Sequence, residues 1–200
     1  MNVLYAKSKG VIMNNYPGTN VAIKKGVSGK QFLNGLFMGS SGIVMSQLNE
    51  ITGLKTPTVQ NWVLRGFIPH PVNKRYSKDA TARIFIINVL RSIMNLDDIK
   101  KLLIFVNGNP EDRADDIIPE SALYGYFCEV IANENFSFKR VNELIDGVIA
   151  SYEEKLKDAK SRVKKALEVI CINYLACDLQ ARSKEIMASI EDKNIFGKQL

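Results

Sequence analysis

The sequence predicts an all-α protein in which a compact head with a small extended excursion is followed by a helical C-terminal region with one long helix. Residues 53–76 predict the head, because a short helix bounded by proline and glycine precedes a basic segment interrupted by prolines. Apolar residues at helical spacing over residues 141–170 predict the long helix. With 46% hydrophobic residues, the chain can bury a core. We expect an irregular basic arm over residues 1–29, the head over 30–109 and the helical region over 110–200.

Two short helices joined by a tight turn are predicted within the head. Apolar residues recur at helical spacing over residues 43–51, and Gly53 begins the turn. Thr56 is expected to cap the second helix, ahead of a proline whose missing amide proton costs nothing at the first helical position. Gly66 then ends this helix after about two and a half turns. Two helices in this arrangement form a helix-turn-helix.

The second of these helices has one apolar face and one polar face at ~100° per residue. The apolar face consists of Val59, Trp62 and Val63. The outer face consists of Thr58, Asn61 and Arg65, with Gln60 at its edge. A short helix with a polar, cationic outer face fits the major groove of DNA, where Asn and Gln pair with adenine and Arg pairs with guanine.

A basic excursion is predicted after the second helix. Prolines flank the single histidine, His70, so residues 67–76 are expected to form a tight extended loop. Lys74, Arg75 and Lys78 supply three cations that suit phosphate contact, although a solvated basic loop has the same composition. His70 has no Cys, Asp or Glu close in sequence, so we interpret it as a loop residue rather than a metal ligand.

Residues 53–68 resemble, without a gap, the MerR pattern Gly-Val-Ser-x-x-Thr-Leu-Arg-Tyr-Tyr-Glu-x-x-Gly-Leu-Leu. The shared positions are Gly53, Thr58, Gly66, Phe67 and Ile68. Downstream, residues 74–77 resemble the family's Arg-x-Tyr-Ser, and residues 95–99 resemble its Ser-Leu-Glu-Glu-Ile. The likeness covers roughly residues 43–106.

The chain departs from that pattern at three places. Gln60-Asn61-Trp62-Val63 stands where the family has Arg-Tyr-Tyr-Glu, the basic loop is short, and the glycine usual before the last helix is missing. The chain more closely resembles a bacterial family of MerR-like proteins catalogued as a domain of unknown function, whose members also lack that glycine and have a helical C-terminal half. The first departure includes Gln60 and Asn61, so the resemblance implies the fold but not the details of base contact.

The resemblance implies a winged helix-turn-helix fold and a bacterial transcription regulator, without naming its signal. Its partner would be double-stranded DNA, bound at an inverted repeat by a homodimer. RNA polymerase is a candidate further partner, and no small-molecule effector is assigned. Lys74 and Tyr76 stand where the family has the Arg and Tyr of its Arg-x-Tyr motif, which implies phosphate contact. The expected DNA-contacting residues are Lys55, Thr56, Thr58, Gln60, Asn61, Arg65, Lys74, Arg75, Tyr76 and Lys78.

Basic residues are concentrated in the N-terminal part of the chain. Residues 1–78 hold ten Lys and Arg against Glu50 alone, a net charge of +9, whereas residues 79–200 have a net charge of −3. Cations that neutralise DNA phosphates release condensed counterions, so this segregation is typical of nucleic-acid binding. An anionic membrane is the rival partner, but the N-terminal lysines lie among Gly and Asn rather than on an amphipathic helix. The arm itself is expected to be loosely packed, either as a solvated tail or in a minor groove.

Three further helices are expected to support the head. Ser77 is expected to cap a strongly apolar helix that runs to about Met94 and is buried on most sides. Asn95 is expected to cap the next helix, which ends at residues 107–110, Asn-Gly-Asn-Pro. Residues 119–132 predict a third helix, whose aromatic side chains are expected in the core rather than lining a pocket, the alternative that the sequence leaves open.

The longest apolar repeat lies in the C-terminal region, where Ser137 is expected to cap a long helix. Its apolar seam, which approximates a heptad repeat, consists of Val141, Ile145, Val148, Tyr152, Leu156, Ala159, Val163, Ala166 and Ile170. Either a second chain or neighbouring segments of the same chain can cover this seam. We expect a second chain, because one short recognition helix gives weak specificity and pairing on a palindrome overcomes it.

No motif for catalysis or cofactor binding is present in the sequence. There is no Gly-rich phosphate loop, His-Glu-x-x-His or Cys-x-x-Cys, and one histidine leaves acid–base chemistry without its usual residue. The chain has an odd number of cysteines, Cys128, Cys171 and Cys177, and its sequence shows no export signal. Reduced, buried thiols are therefore expected. No apolar run approaches the ~18 residues that cross a bilayer. We therefore expect a cytoplasmic, non-enzymatic protein without cofactor, metal or membrane contact.

Two functions from different classes remain open at this point. The first is a dimeric, sequence-specific DNA-binding regulator of transcription. The second is a non-enzymatic helical adaptor that binds an acidic protein partner through the basic N-terminal half. DNA binding by the regulator should fall steeply as salt rises and should discriminate between duplex sequences, whereas the adaptor should show no preference for any duplex.

Overall fold

The computed structural model describes residues 14–112, 116–154 and 156–191, which fold mostly into helices. This agrees with the all-α prediction, and the described residues add one small antiparallel sheet of two strands. The elements in chain order are α1 (Gly29–Gly35), β1 (Ile43–Val44), α2 (Met45–Thr52), α3 (Thr56–Leu64), β2 (Arg75–Tyr76), α4 (Lys78–Leu90), α5 (Leu96–Asn107), α6 (Glu120–Ile131), α7 (Val141–Val148) and α8 (Ala159–Glu191).

Two of the predicted helix caps are confirmed. The Ser77 hydroxyl accepts a hydrogen bond from the backbone amide of Ala80 at the start of α4, at 3.2 Å. The Asn95 side chain accepts one from the amide of Asp98 at the start of α5, at 2.9 Å. These bonds satisfy amides that a helix start leaves without an intrahelical partner. Helix α4 ends at Leu90, earlier than predicted, because the backbone must leave the helix before Asn95 can cap α5.

The predicted end of α3 at Gly66 is also confirmed. Gly66 has a left-handed backbone with φ of +66°, a conformation that glycine adopts without steric cost. The amides of Gly66 and Phe67 donate to the carbonyls of Val63 and Trp62, at 2.9 and 2.8 Å. This paired closure satisfies the last carbonyls of α3 and directs the chain back under the helix.

Two helix starts in the head differ from the predictions. Ile43–Val44 forms β1, so α2 begins two residues later than predicted. Thr56 lies inside α3, and Lys55 occupies the cap position without a side-chain hydrogen bond. The Thr56 hydroxyl is instead hydrogen-bonded to the side-chain amide of Asn49 in α2, 2.6 Å away. Thr56 therefore ties the two helices together rather than capping one of them.

Residues 16–19 of the predicted arm pack against the helices, so the expectation of a loosely packed arm is wrong for this part, although most residues from 20 to 28 are exposed. Tyr16 is buried, and its ring stacks on that of Phe32 with centroids 4.0 Å apart. The hydroxyl of Tyr124 in α6 donates to the backbone carbonyl of Pro17, at 2.9 Å. Residues 1–13 lie outside the described residues.

Helix α4 lies at the centre of the hydrophobic core, as its apolar sequence predicts. Ile84, Phe85, Ile86 and Ile87 are all buried, and α1, α2, α5, α6 and α8 pack around the helix. The segment before α1 also runs close against it, with Gly18 at φ +74°. A Cβ on Gly18 would lie 2.2 Å from the carbonyl oxygen of Phe85, so only glycine permits this approach.

An ion pair that the sequence pattern does not predict is buried between α4 and α6. Arg83 and Glu120 are only 1% and 3% exposed, and a guanidinium nitrogen of Arg83 lies 2.9 Å from the Glu120 carboxylate. The Arg83 Nε also donates to the backbone carbonyl of Phe67, just after α3, at 2.6 Å. The pair therefore joins α4, α6 and the end of α3.

The predicted long helix from Ser137 onward is broken in the structure. Helix α7 starts after Arg140 rather than at a Ser137 cap and ends at Val148. The described residues from there to Asp158 are not helical, and Asp158 has a φ of +64°. The Tyr152 hydroxyl in this connection donates to the backbone carbonyl of Ile117, which precedes α6, at 2.7 Å. The long helix is α8, which begins about twenty residues later than predicted.

Most of the predicted apolar seam is covered within the chain, so the expectation that it joins two chains is wrong for its buried residues, whereas Leu156 remains 49% exposed. α7 and α8 pack against each other and both pack on α6, while α8 also packs on α4 and α5. The fully covered seam residues are Val141, Ile145, Ala159, Val163, Ala166 and Ile170. Because the seam faces one core from two separate helices, its spacing looks continuous although the helix is not.

Loss of one member of the buried ion pair should destabilise the fold strongly. Glu120→Leu leaves the Arg83 guanidinium buried without its carboxylate, which costs about 3–5 kcal/mol in comparable pairs. Adding Arg83→Met removes the buried charge and is expected to restore most of that loss. Urea unfolding followed by circular dichroism measures both variants.

Glu143→Leu is the control for this experiment. It removes the acid of the exposed pair Arg140–Glu143, whose atoms lie 2.7 Å apart, and exposed pairs contribute little. A Glu120→Leu variant no less stable than this control would contradict the structural role of the buried pair.

Candidate nucleic-acid interface

Helix α3 is held on the core by the apolar face that the sequence predicts. Val59, Trp62 and Val63 are buried, and the turn between α2 and α3 adds buried Leu54. Gly53 ends α2 with a φ of +70°, as expected for the residue that begins this turn. The core therefore fixes which face of α3 turns to solvent.

The solvent face of α3 is centred differently from the predicted polar face. Gln60, Asn61 and Arg65 are exposed as predicted, whereas Thr58 is half-buried. Leu64 is 83% exposed and lies among the polar residues. The sequence contains the signal for this, since Leu64 follows Trp62 by two residues and so points ~200° away from it.

Arg65 makes contacts within the chain at the end of α3. Its guanidinium lies 3.3 Å from the Asp97 carboxylate and stacks 4.7 Å from the centroid of the Phe67 ring. Lys100 donates to the backbone carbonyl of Arg65 at 3.1 Å. Both side chains of the Arg65–Asp97 pair are exposed, and such pairs are worth only about 0–1 kcal/mol, so Arg65 can exchange Asp97 for another acceptor.

The predicted basic excursion contains a tight hairpin at residues 72–75. The amide of Val72 donates to the carbonyl of Arg75 at 3.0 Å, and the amide of Arg75 donates back to Val72 at 2.9 Å. Asn73 and Lys74 have φ values of 49° and 62°, as in a type I′ turn. Lys74 therefore stands at the exposed tip of the hairpin.

Strand pairing and an exposed hydrogen-bonded pair hold the hairpin in place. β2 pairs with β1 through Ile43 opposite Tyr76. On the other side, the backbone amide and Nδ1 of His70 lie 2.9 and 2.8 Å from one Glu111 oxygen. These hydrogen bonds lower the pKa of the Glu111 carboxyl. His70 is thus a loop residue, as interpreted from the sequence, and contacts an acid that is distant in the chain.

Three of the predicted hairpin residues have contacts within the protein. Arg75 donates to the carbonyl of Gly42 at 3.0 Å, and Lys78 donates to the Asn34 side chain at 3.3 Å, although both cations remain exposed. Tyr76 is buried, and burial raises the pKa of its hydroxyl. The expected phosphate contact by Tyr76 is therefore corrected, because its side chain packs inward and supports the strand.

An open groove of about 570 Å³ runs between α3 and the hairpin. Its walls are mainly apolar, and the polar side chains of Gln60 and Lys74 also line it. The remaining lining residues are Met45, Thr56, Val63, Leu64, His70, Pro71 and Tyr76. We call the exposed face of α3, this groove and residues 72–75 the α3–hairpin surface.

The α3–hairpin surface lies in a strongly basic part of the chain. Between residues 14 and 78 the sequence contains eight Lys and Arg and one acid, Glu50. Lys55 precedes α3 and Lys74 stands at the hairpin tip, and both are exposed. The surface can therefore attract an anionic partner along its length.

The cysteines show no arrangement for chemistry. Cys128 and Cys171 are buried and Cys177 is half-buried, and all three are free thiols. Burial raises the pKa of the Cys128 thiol to about 12, which keeps it protonated at neutral pH. Within the described ranges, no three His, Cys, Asp or Glu residues are grouped to hold a metal ion. None of the described helices has the length and apolar character needed to cross a bilayer.

Comparisons with known proteins identify relatives without a stated activity. The family model described as a domain of unknown function, DUF1836, matches residues 40–127. The uncharacterized protein YkrK of Bacillus subtilis (strain 168) is 26% identical over 164 residues, which cover 74% of this chain and 70% of that protein. No solved structure matches the chain significantly. The family match bears out the likeness to a domain of unknown function, and it runs from just before β1 into α6.

The backbone of Lys74 predicts an unusual effect of glycine at the hairpin tip. A non-glycine residue in the left-handed region costs roughly 1 kcal/mol, so Lys74→Gly should be more stable than Lys74→Ala. Both variants lose the same cation, which makes them a matched pair. Urea midpoints measure the difference, and an alanine variant as stable as the glycine variant would contradict this hairpin geometry.

Proposed function

We propose that this protein is a sequence-specific DNA-binding regulator of transcription that acts as a dimer on an inverted repeat. In this proposal α2, the turn and α3 form a helix-turn-helix, and residues 72–75 form a short wing. The observation that carries it is the α3–hairpin surface, an exposed amide-bearing helix face beside a cationic hairpin tip. The likeness of residues 53–68 to the MerR pattern supports the same function.

The exposed face of α3 suits contact with base edges. A helix with its side chains is about 10–12 Å wide, and the major groove is about 12 Å wide. Gln60 and Asn61 are exposed on successive positions, and their amides can pair with adenine in the major groove. Arg65 can reach a guanine if it leaves Asp97. Thr58 is half-buried and so contributes less than the sequence predicts.

The hairpin suits contact with phosphates. Lys74 projects from a turn whose base is fixed by β1 and Glu111, so its position costs little to organise on binding. Lys55 offers a second cation at the start of α3. Cations at the start of α3 and at the hairpin tip would bind the DNA backbone while α3 contacts the bases.

The adaptor function is favoured by one observation, the apolar lining of the groove. Met45, Leu64 and Pro71 are side chains that a peptide could pack against. The same basic flanks would then attract an acidic protein. DNA is the better partner for the exposed amides of Gln60 and Asn61, because each amide carries the donor and the acceptor that pair with adenine N7 and N6 in the major groove.

The C-terminal part of α8 is the surface proposed for dimerisation. α8 has a length of roughly 50 Å for its 33 residues, and residues 181–190 are all exposed. Leu179, Ile186 and Ile190 lie within ~40° of one another around the helix and are also exposed. Helical stability in proteins comes mostly from packing of an apolar face, so a second copy of this stripe would stabilise the exposed end of α8.

Two substitutions should separate base contact from phosphate contact. Asn61→Ala is expected to broaden the set of duplexes selected from a random pool, because the amide that pairs with adenine is lost. Lys74→Ala is expected to weaken all duplexes alike and to reduce the salt slope by roughly one unit, because one phosphate contact is lost. Selection and binding titrations at several salt concentrations measure both effects.

The outcomes also decide between the two candidate functions. An adaptor would bind the pool weakly and without preference, and neither substitution would change the sequences recovered. If the wild-type protein selects a preferred duplex and Asn61→Ala selects the same one equally well, Asn61 does not contact the bases. An unchanged salt slope for Lys74→Ala would remove the hairpin from the interface.

The dimer proposal predicts that charge on the α8 stripe separates the two chains. Leu179→Asp with Ile186→Asp should give folded monomers, because both side chains are exposed in the single chain but would be buried without a partner for their charge in the dimer. Light scattering should show half the wild-type mass, and affinity for a selected inverted repeat should fall.

A matched control places the same charges on the opposite face. Ala181→Asp with Ala188→Asp has the same spacing on the same exposed helix but lies ~200° from the stripe. This control should remain dimeric. A wild-type protein that is monomeric both free and on its selected duplex would overturn the dimer.

A further inference from the structure

Leu64 has no packing role in the chain that accounts for its place on α3. Its side chain is 83% exposed, while the apolar positions that hold α3 on the core are on the opposite side. It follows Gln60 by one helical turn and lies on the edge of the groove beside the hairpin. A large apolar side chain between polar residues of α3, at an open groove with mainly apolar walls, therefore suits a partner with an apolar group.

We infer that Leu64 contacts the 5-methyl group of a thymine in the major groove, and that Gln60 and Leu64 together recognise neighbouring A·T base pairs. This inference rests on the proposed DNA-binding function. The thymine methyl is the apolar group among the hydrogen-bonding atoms that base pairs present in the major groove. The methyl group identifies an A·T pair to an apolar side chain, just as adenine N6 and N7 identify one to the amide of Asn or Gln.

The spacing of the two side chains suits this assignment. Residues four apart on a helix lie on the same face, with Cβ atoms about 5–6 Å apart. Successive bases on one strand are about 3.4 Å apart along the helix axis, so Gln60 and Leu64 would contact base pairs one or two steps apart. Asn61 lies beside them and can contact the flanking step.

The charges around Leu64 favour DNA over a protein as the occupant of this surface. Lys55 before α3 and Lys74 at the hairpin tip are exposed, and the two acids close to this surface, Asp97 and Glu111, are each paired with a basic side chain. Duplex DNA combines phosphates at the edges of the groove with thymine methyl groups inside it. This order, cations outside and an apolar side chain within, matches the α3–hairpin surface.

The test replaces thymine by deoxyuridine, which lacks only the methyl group and pairs in the same way. The full chain first selects a duplex from a random pool, and that sequence is made with single thymine-to-deoxyuridine replacements at each A·T pair. One or two replacements should weaken binding about fourfold each, as expected for the loss of one buried methyl group. Replacements in the flanks should have no effect.

Leu64→Ala assigns the effect to this side chain. The variant should bind thymine and deoxyuridine duplexes equally, with the affinity that the wild-type protein shows for the deoxyuridine duplex. Phe138→Ala is the matched control, since it also removes a large exposed apolar side chain but lies between α6 and α7. It should keep the fourfold discrimination.

The possible results separate this inference from the function on which it rests. Failure to select any duplex would overturn both. Selection of a duplex whose deoxyuridine versions all bind as well as the thymine version would overturn the inference and leave the function standing. Discrimination that persists in Leu64→Ala would show that another residue contacts the methyl group, and would overturn the assignment to Leu64.

Discussion

The buried pair of Arg83 and Glu120 determines how the two halves of the chain are joined. A guanidinium in the core needs its carboxylate, because an unpaired buried charge costs several kcal/mol. Arg83 also donates to the backbone carbonyl of Phe67, so a single side chain holds α4, α6 and the end of α3 in one arrangement. The family match includes both members of the pair. The head and the first C-terminal helix therefore share one core.

The α3–hairpin surface is supported from below by the core and from both sides by contacts of the hairpin. Phe67 is buried beneath Arg65 and Lys100, whose cationic groups lie over its ring. β1 holds one side of the hairpin, and Glu111 holds the other. Because α8 packs on α4, α5 and α6, a second chain bound to the end of α8 would be fixed relative to α3. In the proposed dimer, the packing of α8 on the core would therefore set the distance between the two copies of α3.

Much of the candidate site follows from the helical period, and the remainder depends on contacts distant in the sequence. Trp62 and its apolar neighbours define the buried face of α3, so the exposure of Gln60, Asn61 and even Leu64 can be derived from the sequence. The inward position of Tyr76 cannot, because it follows from pairing with Ile43, more than thirty residues earlier. The contact of Arg65 with Asp97 is equally remote in sequence.

The sequence by itself determined the all-α class, the caps at Ser77 and Asn95, the left-handed glycines and the buried α4, because each depends on residues within a turn or two of the chain. The tertiary structure decided where the C-terminal repeat breaks and what covers it. Seam residues on α7 and α8 face the same core, so their apolar spacing continues across a connection that is not helical. Periodicity records which residues are buried, whereas the core alone determines whether a second helix or a second chain buries them.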